Sequence, residues 1–219
     1  MREDPGGYRD ETIKILHEDE QLLVCVKPGG VLSAADASGK RDMQALLAPR
    51  ETFPVHRLDR EACGLMVFAK TKEAAAFLSG QMGTGFEKEY LAVCEGAPPE
   101  VGELTDLLYH DKGKNKTYTV KRKRAGVREA KLSYIVTERK SGCSLLKIRL
   151  FTGRTHQIRV QFASRGFPLV GDRKYGAKSG GTLQLCSARL SFPIPRGAEC
   201  PLNWRMRPFP SCKLPDLVL

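Results

Sequence analysis

Two apolar runs, LLVCV at 22–26 and LMVFA at 65–69, are short, compact and bounded by turn-forming or charged residues, the pattern of β-strands. The first ends at Lys27-Pro28-Gly29-Gly30, a turn signal leading to Val31 and Leu32. Asp42 is placed to cap a short helix through Leu47, which Pro49 ends. After the second run, residues 73–81 are alanine-rich with an early glutamate, and predict a helix. Residues 90–94 and 131–136 read as further strands. Over 145–151, Leu146, Ile148 and Leu150 alternate with Lys147 and Arg149, as in a sheet with one buried face. Thr155 is a good N-cap for a helix through Ser164, with Ile158 and Phe162 one turn apart and Gly166 and Pro168 closing it; Arg154 then sits at its mouth. The stretch 97–116, mixing prolines, glycines and lysines, reads as an exposed connection. Numerous short strands and few helices predict an α+β fold with a largely antiparallel sheet.

At 219 residues the chain fits one generous domain with a substantial core. A net charge of +11 favours a polyanionic partner, RNA above all. That charge is uneven: residues 1–20 hold seven acids and three bases, whereas 109–128 hold eight bases and one acid. The basic stretch is the expected place for phosphate contacts, although charge runs also occur as solvated loops and sheet edges. Seven cysteines without a Cys-x-x-Cys pair, and an amino terminus without an apolar core, fit a reducing cytoplasm. No apolar run approaches a membrane span. Four histidines, none at metal-ligand spacing, argue against a metal site.

The candidate chemistry lies in residues 56–65, HRLDREACGL, where one aspartate, Asp59, follows a histidine-arginine pair just ahead of the second apolar run. A carboxylate on a tight loop at a strand edge is a candidate nucleophile. FTGRTHQIRV at 151–160 offers Arg154 as a charged partner. Taken singly, Asp59 reads better as a turn residue bonded to its own backbone and Arg154 as a surface cation; it is together, inside matching motifs, that they point to a site.

Taken in order, HRLDREACGL, KEYLAVCEG at 88–96, the Arg154 segment and PLVGDRKYG at 168–176 resemble the RluA-type RNA pseudouridine synthases. ILHEDEQLLVCVKPGGVLS at 15–33 and LQLCSARLSFPIP at 183–195 are similar too, so the resemblance runs over roughly residues 13–210. It implies the pseudouridine synthase fold: a mixed, mainly antiparallel central sheet, helices and loops around it, and a cleft across one face. The expected organisation is an amino-terminal tail at 1–12 and a catalytic domain over 13–219, without the S4 domain that relatives often carry.

The activity implied is isomerisation of uridines in structured tRNA or ribosomal RNA, without a cofactor, by a monomer that flips the base out of its stack. The resemblance makes Asp59 the catalytic aspartate and Arg154 its guanidinium partner. Tyr90 becomes the residue that stacks on the base; a phenol with a pKa of about 10 is a poor base at neutral pH. Arg57 corresponds to the residue that enters the vacated stack, and His56 is a neighbouring contact. Lys121, Arg122, Lys123 and Arg124 form a basic hairpin expected to touch phosphates. The sequence departs from the family at Ala62 and Cys63, where threonine and serine are usual, so two hydroxyls that could fasten the loop are missing. Cys63 has no evident histidine partner and is expected to be packed and inert. A non-catalytic RNA-binding or ribosome-assembly factor on the same fold is the alternative reading.

Overall fold

The structure is a computed structural model. It describes residues 13–36, 39, 41–196 and, as backbone, 203–205. The expected tail at 1–12 lies outside the described residues.

One sheet organises the chain. Its strands are β1 (Ile15–Glu18), β2 (Leu22–Lys27), β3 (Phe53–Pro54), β4 (Cys63–Ala69), β5 (Glu87–Glu95), β6 (Val101–Asp111), β7 (Lys116–Val120), β8 (Val127–Lys140), β9 (Cys143–Leu150), β10 (Leu185–Ser191) and β11 (Asn203–Arg205). They lie in the order β1-β2-β4-β10-β5-β9-β8-β6-β7, with β3 on β4 and β11 on β10. β10 runs parallel to β4, with Cys186 opposite Cys63, and the other strand pairings described are antiparallel. The class is α+β, as the spacing of short strands predicts.

The two apolar runs are β2 and β4, and their centre is buried on both faces. On one side Leu23, Met66 and Phe68 pack with helix α1 (Met43–Leu47) and with Ile158 and Phe162 of helix α3 (Gln157–Ala163). On the other, Leu22, Val24, Leu65 and Val67 meet Leu78 of helix α2 (Lys72–Gly80) and Phe86. Double-sided burial is why these strands read as unbroken apolar runs. Asp42 caps α1, accepting from the backbone N–H of Gln44 and Ala45.

Two expectations are corrected. Most of the stretch read as an exposed connection is β6, eleven residues long and paired with β7 and β8. Only Leu104 and Leu108 along it are buried, so its solvated face dilutes the alternation. Helix α3 also starts later than Thr155. His156 occupies its N-cap position in the left-handed region, φ 54°, without a side-chain cap. The Gln157 side chain instead accepts from the Arg154 N–H at 3.0 Å and from the Thr152 hydroxyl at 2.8 Å.

Candidate active site

The loop between β3 and β4 carries Asp59, and the segment following β2 holds it. Lys27 is wholly buried, and its ammonium donates to the carbonyls of Pro28 (2.8 Å), Val31 (2.7 Å) and Arg60 (3.0 Å). Three acceptors match the three donors of an ammonium. Burial still lowers its pKa to about 8, against the opposing pull of Cys63, Asp59 and Glu61. The Ser33 hydroxyl donates to the Leu58 carbonyl and accepts from the Leu58 N–H, both at 2.9 Å. Gly64 has φ 114°, and a Cβ there would collide with the Ser187 backbone, so glycine is what allows β10 to approach behind the loop. These contacts fasten the loop without hydroxyls at Ala62 and Cys63. Sequence reasoning missed Lys27 and Ser33, whose bonds to the Asp59 loop span 33 and 25 residues.

The guanidinium facing Asp59 belongs to Arg159, which corrects the expectation of Arg154. Arg159 Nη1 lies 3.3 Å from Asp59 Oδ2, while Nε and Nη2 make 2.7 Å bonds to the two oxygens of Asp172. The side chains of Asp59, Arg159 and Asp172 are 15%, 5% and 0% exposed, so the ion pairs lie mostly out of water. Burial opposes the Arg159 charge, but the hydrogen bonds and charges of the two carboxylates outweigh it and shift its pKa upward. Arg154 is exposed and donates through Nε to the Glu129 carbonyl at 2.9 Å. The physical reason is position: Arg159 lies within α3, where every residue from 157 to 162 is buried, whereas Arg154 precedes the helix on the exposed loop. A charge amid QIRVQF needs an acid partner, and Asp172 of PLVGDRKYG was the available signal.

Around this centre the Tyr175 ring lies under the Arg159 guanidinium, 5.1 Å from centroid to Cζ. Its hydroxyl accepts from the Thr117 N–H at 2.8 Å and lies 2.9 Å from His156 Nδ1. Burial pushes His156 down to about 4, although Asp59 opposes the shift, so the ring is neutral at pH 7.

Asp59 stands where two clefts meet. One has a volume of about 460 Å³ and holds Asp59, Tyr90, Arg57, Arg154 and His56 in its walls. The other is a groove of about 1060 Å³ that shares Arg57, Asp59 and His156 and continues past Lys174. Tyr90 is buried, and burial together with the Asp59 charge raises its phenol pKa, keeping it protonated. His56 lines the smaller cleft, but its ring nitrogens are turned to the protein. Its Nε2 accepts from the Val67 N–H at 3.1 Å, and its Nδ1 is buried. Burial, then Lys88, lowers its pKa well below 6.5, so it supports the loop as a neutral ring.

The residues 121–124 are exposed and line neither cleft. Arg124 stacks over Tyr109, 5.0 Å from the ring centroid, on the strand face opposite His110. Residues 121–124 join β7 to β8 on the other side of β6 rather than forming a hairpin, and the tip of the β6–β7 hairpin, at the far end of β7, reaches the groove through Asn115, whose carbonyl accepts from Lys174. Cys63 is half-buried and lines the groove rather than being sealed away. A hydrogen bond from Cys186 lowers its pKa against burial, with Lys27 adding to the drop. Among the described residues, no group of three His, Cys, Asp or Glu is placed to hold a metal ion, and no helix is long and apolar enough to cross a membrane.

A sheet of this order, with a loop aspartate set against a buried arginine in a cleft, defines a recognisable class. Residues 21–164 match the RNA pseudouridylate synthase family, and the chain belongs to that family, in its RluA-type branch. It is 37% identical over 188 residues to an uncharacterized RNA pseudouridine synthase of Aquifex aeolicus, covering 76% of this chain and 57% of that protein. It is 34% identical over 215 residues to ribosomal large subunit pseudouridine synthase D of Pseudomonas aeruginosa, covering 92% of this chain and 61% of the relative. The chain thus spans about six-tenths of the length of these curated relatives. Human RNA pseudouridylate synthase domain containing 1 superposes with a TM-score of 0.77 at 22% identity, over 96% of this chain and 89% of that one. The fold is the pseudouridine synthase fold.

Proposed function

We propose that this chain is the catalytic unit of an RNA pseudouridine synthase, isomerising uridine in structured RNA with Asp59 as its catalytic carboxylate. The observation that carries this reading is the Asp59 carboxylate at the meeting of two clefts, 3.3 Å from an arginine that a wholly buried aspartate holds in place. The reaction has no net oxidation or hydrolysis. It needs a group to assist cleavage of the bond between base and sugar, and walls that retain the detached base.

Side chains in the cleft suit those tasks. Asp59 faces the reacting nucleoside. Tyr90, one wall of the smaller cleft, stacks on the base as a neutral phenol. Arg57 is exposed at the junction of the clefts, where a planar guanidinium can fill the stack that the everted uridine leaves. Arg154 at the rim, with Lys121, Arg122, Lys123 and Arg124 farther out, meets phosphates. Ribosomal RNA is the favoured substrate because several relatives are named as ribosomal large-subunit enzymes, with tRNA the other structured candidate. The protein acts as a monomer in the cytoplasm.

Total RNA labelled with tritium at uracil carbon 5, from cells lacking the gene, provides the test. The protein releases tritium, and Asp59→Asn abolishes release while retaining most of the RNA affinity. Binding without release by the unaltered protein would instead identify a non-catalytic RNA-binding factor, and full activity in Asp59→Asn would remove Asp59 from the chemistry.

A further inference from the structure

Lys88 is a half-buried cation in the wall of the smaller cleft, with no carboxylate opposite it among the described residues. Strand alternation puts it on the same face of β5 as Tyr90, roughly 7 Å along the strand. Its neighbours Glu87 and Glu89 leave by the opposite face, committed to Arg149 (2.6 Å), Lys147 (3.3 Å) and Arg189 (2.9 Å). The Lys88 ammonium has soft company instead: the Met82 sulfur at 3.6 Å and the Phe86 ring, with its centroid 4.9 Å away. A thioether is a weak acceptor and a ring face is not a hydrogen-bond acceptor of ordinary strength, so the ammonium keeps donors to spare. Burial lowers its pKa to about 8, the mark of a charge out of water without an anion beside it.

We propose that Lys88 is a catalytic residue that donates a hydrogen bond to a carbonyl oxygen of the everted uracil. This inference rests on the pseudouridine synthase reading of the site. A phosphate is the other oxygen acceptor an ammonium takes, but exposed Arg154 at the rim and the exposed residues 121–124 serve phosphates. The wall around Lys88, with Phe86, Met82 and Tyr90, suits a planar base.

The chemistry gives the contact its purpose. When the bond between N1 and C1′ breaks, its electron pair stays with the ring and spreads over N1 and the two carbonyl oxygens. Addition of the Asp59 carboxylate at C6 would place a pair on the same conjugated system. By either route a fixed donor stabilises negative charge that develops only during reaction. The ring then turns and C5 supplies the pair that forms the new bond to C1′. The hydrogen on C5 leaves as a proton to water, and N1 takes one up, so composition is unchanged. Lys88 keeps its proton throughout.

The test uses the full chain in excess over the same tritiated RNA, so that one turnover is read, with RNA affinity measured across a salt series. Lys88→Met lowers the single-turnover rate constant by about 10² to 10³-fold, as removal of one such donor does elsewhere, with the dissociation constant changed less than about threefold. Lys88→Arg, which keeps a donor, recovers much of the rate. Lys88→Leu, which likewise has no donor, is read in the same way should Lys88→Met fail to fold by thermal melting. An unchanged rate at saturating RNA with weakened binding and a salt slope shallower by about one unit would make Lys88 a phosphate contact and overturn the proposal. Equal rates in Lys88→Met and the unaltered protein would overturn it while leaving the isomerase reading intact. Absence of release by the unaltered protein overturns that reading, and the role of Lys88 with it.

Discussion

Arg159 carries one charge between two carboxylates and divides it unevenly. Asp172 takes the two short bonds, leaving Asp59 a single 3.3 Å contact. Asp172 thus fixes the guanidinium, while Asp59 keeps one longer contact to it. Removing Arg159 strands a fully buried carboxylate, so Arg159→Met is expected to destabilise the fold by about 3–5 kcal/mol and to stop tritium release. The paired change Arg159→Met with Asp172→Leu should regain much of the stability in urea titration, because the stranded charge is gone, yet remain inactive. Arg154→Ala, at an exposed residue bonded to a carbonyl, should stay within about 0.5 kcal/mol of the parent and react nearly normally at saturating RNA. A dead Arg154→Ala beside an active Arg159→Met would return the role to Arg154.

Elements explain which of these relations could be read in advance. β2, β4 and α1 were legible because buried runs and an aspartate cap are local signals. β6 was hidden because one face is wet, and the start of α3 because His156 adopts a left-handed turn that no hydroxyl cap announces. Asp59 stood out within its motif. Its partner did not, since residues 151–160 leave open where the exposed loop ends and the buried helix begins, and hence which arginine is buried. The strap formed by the segment after β2 was invisible for a different reason: its bonds to the Asp59 loop join elements far apart in sequence. Its importance is measurable. Ser33→Ala leaves the Leu58 N–H and carbonyl buried without their partner, at a cost of about 1–3 kcal/mol. Hydrogen exchange across 56–62 should quicken and the single-turnover rate should fall. Unchanged exchange in that loop would deny the strap its role.

For the molecule as a whole, charge shapes both partner and stability. The open face of β5, β6, β8 and β9 sets lysines and arginines against glutamates, so it adds little to the net +11, whereas Arg57, Arg154 and Lys174 bring positive charge beside the clefts. Acid adds to that positive charge, and two histidines make the folded state resist it. Burial holds His156 near pKa 4 and His56 well below 6.5, while the unfolded chain protonates both near 6.5. As pH falls through this window the unfolded state binds more protons than the folded one. The stabilisation is therefore complete above about pH 6.5 and is lost progressively toward pH 4. His156 alone, buried and held at about 4, accounts for a loss on the order of 3 kcal/mol. The lowered carboxylates Glu18, Glu89 and Glu95 lose their contribution only below their ordinary 4.5, so the two effects separate on the pH axis. Urea midpoints should accordingly decline between pH 6.5 and 4.5. The decline should be shallower in His156→Asn, whose side chain tolerates the left-handed backbone and does not titrate. Parallel declines in the two proteins would show that His156 takes up its proton without unfolding the site.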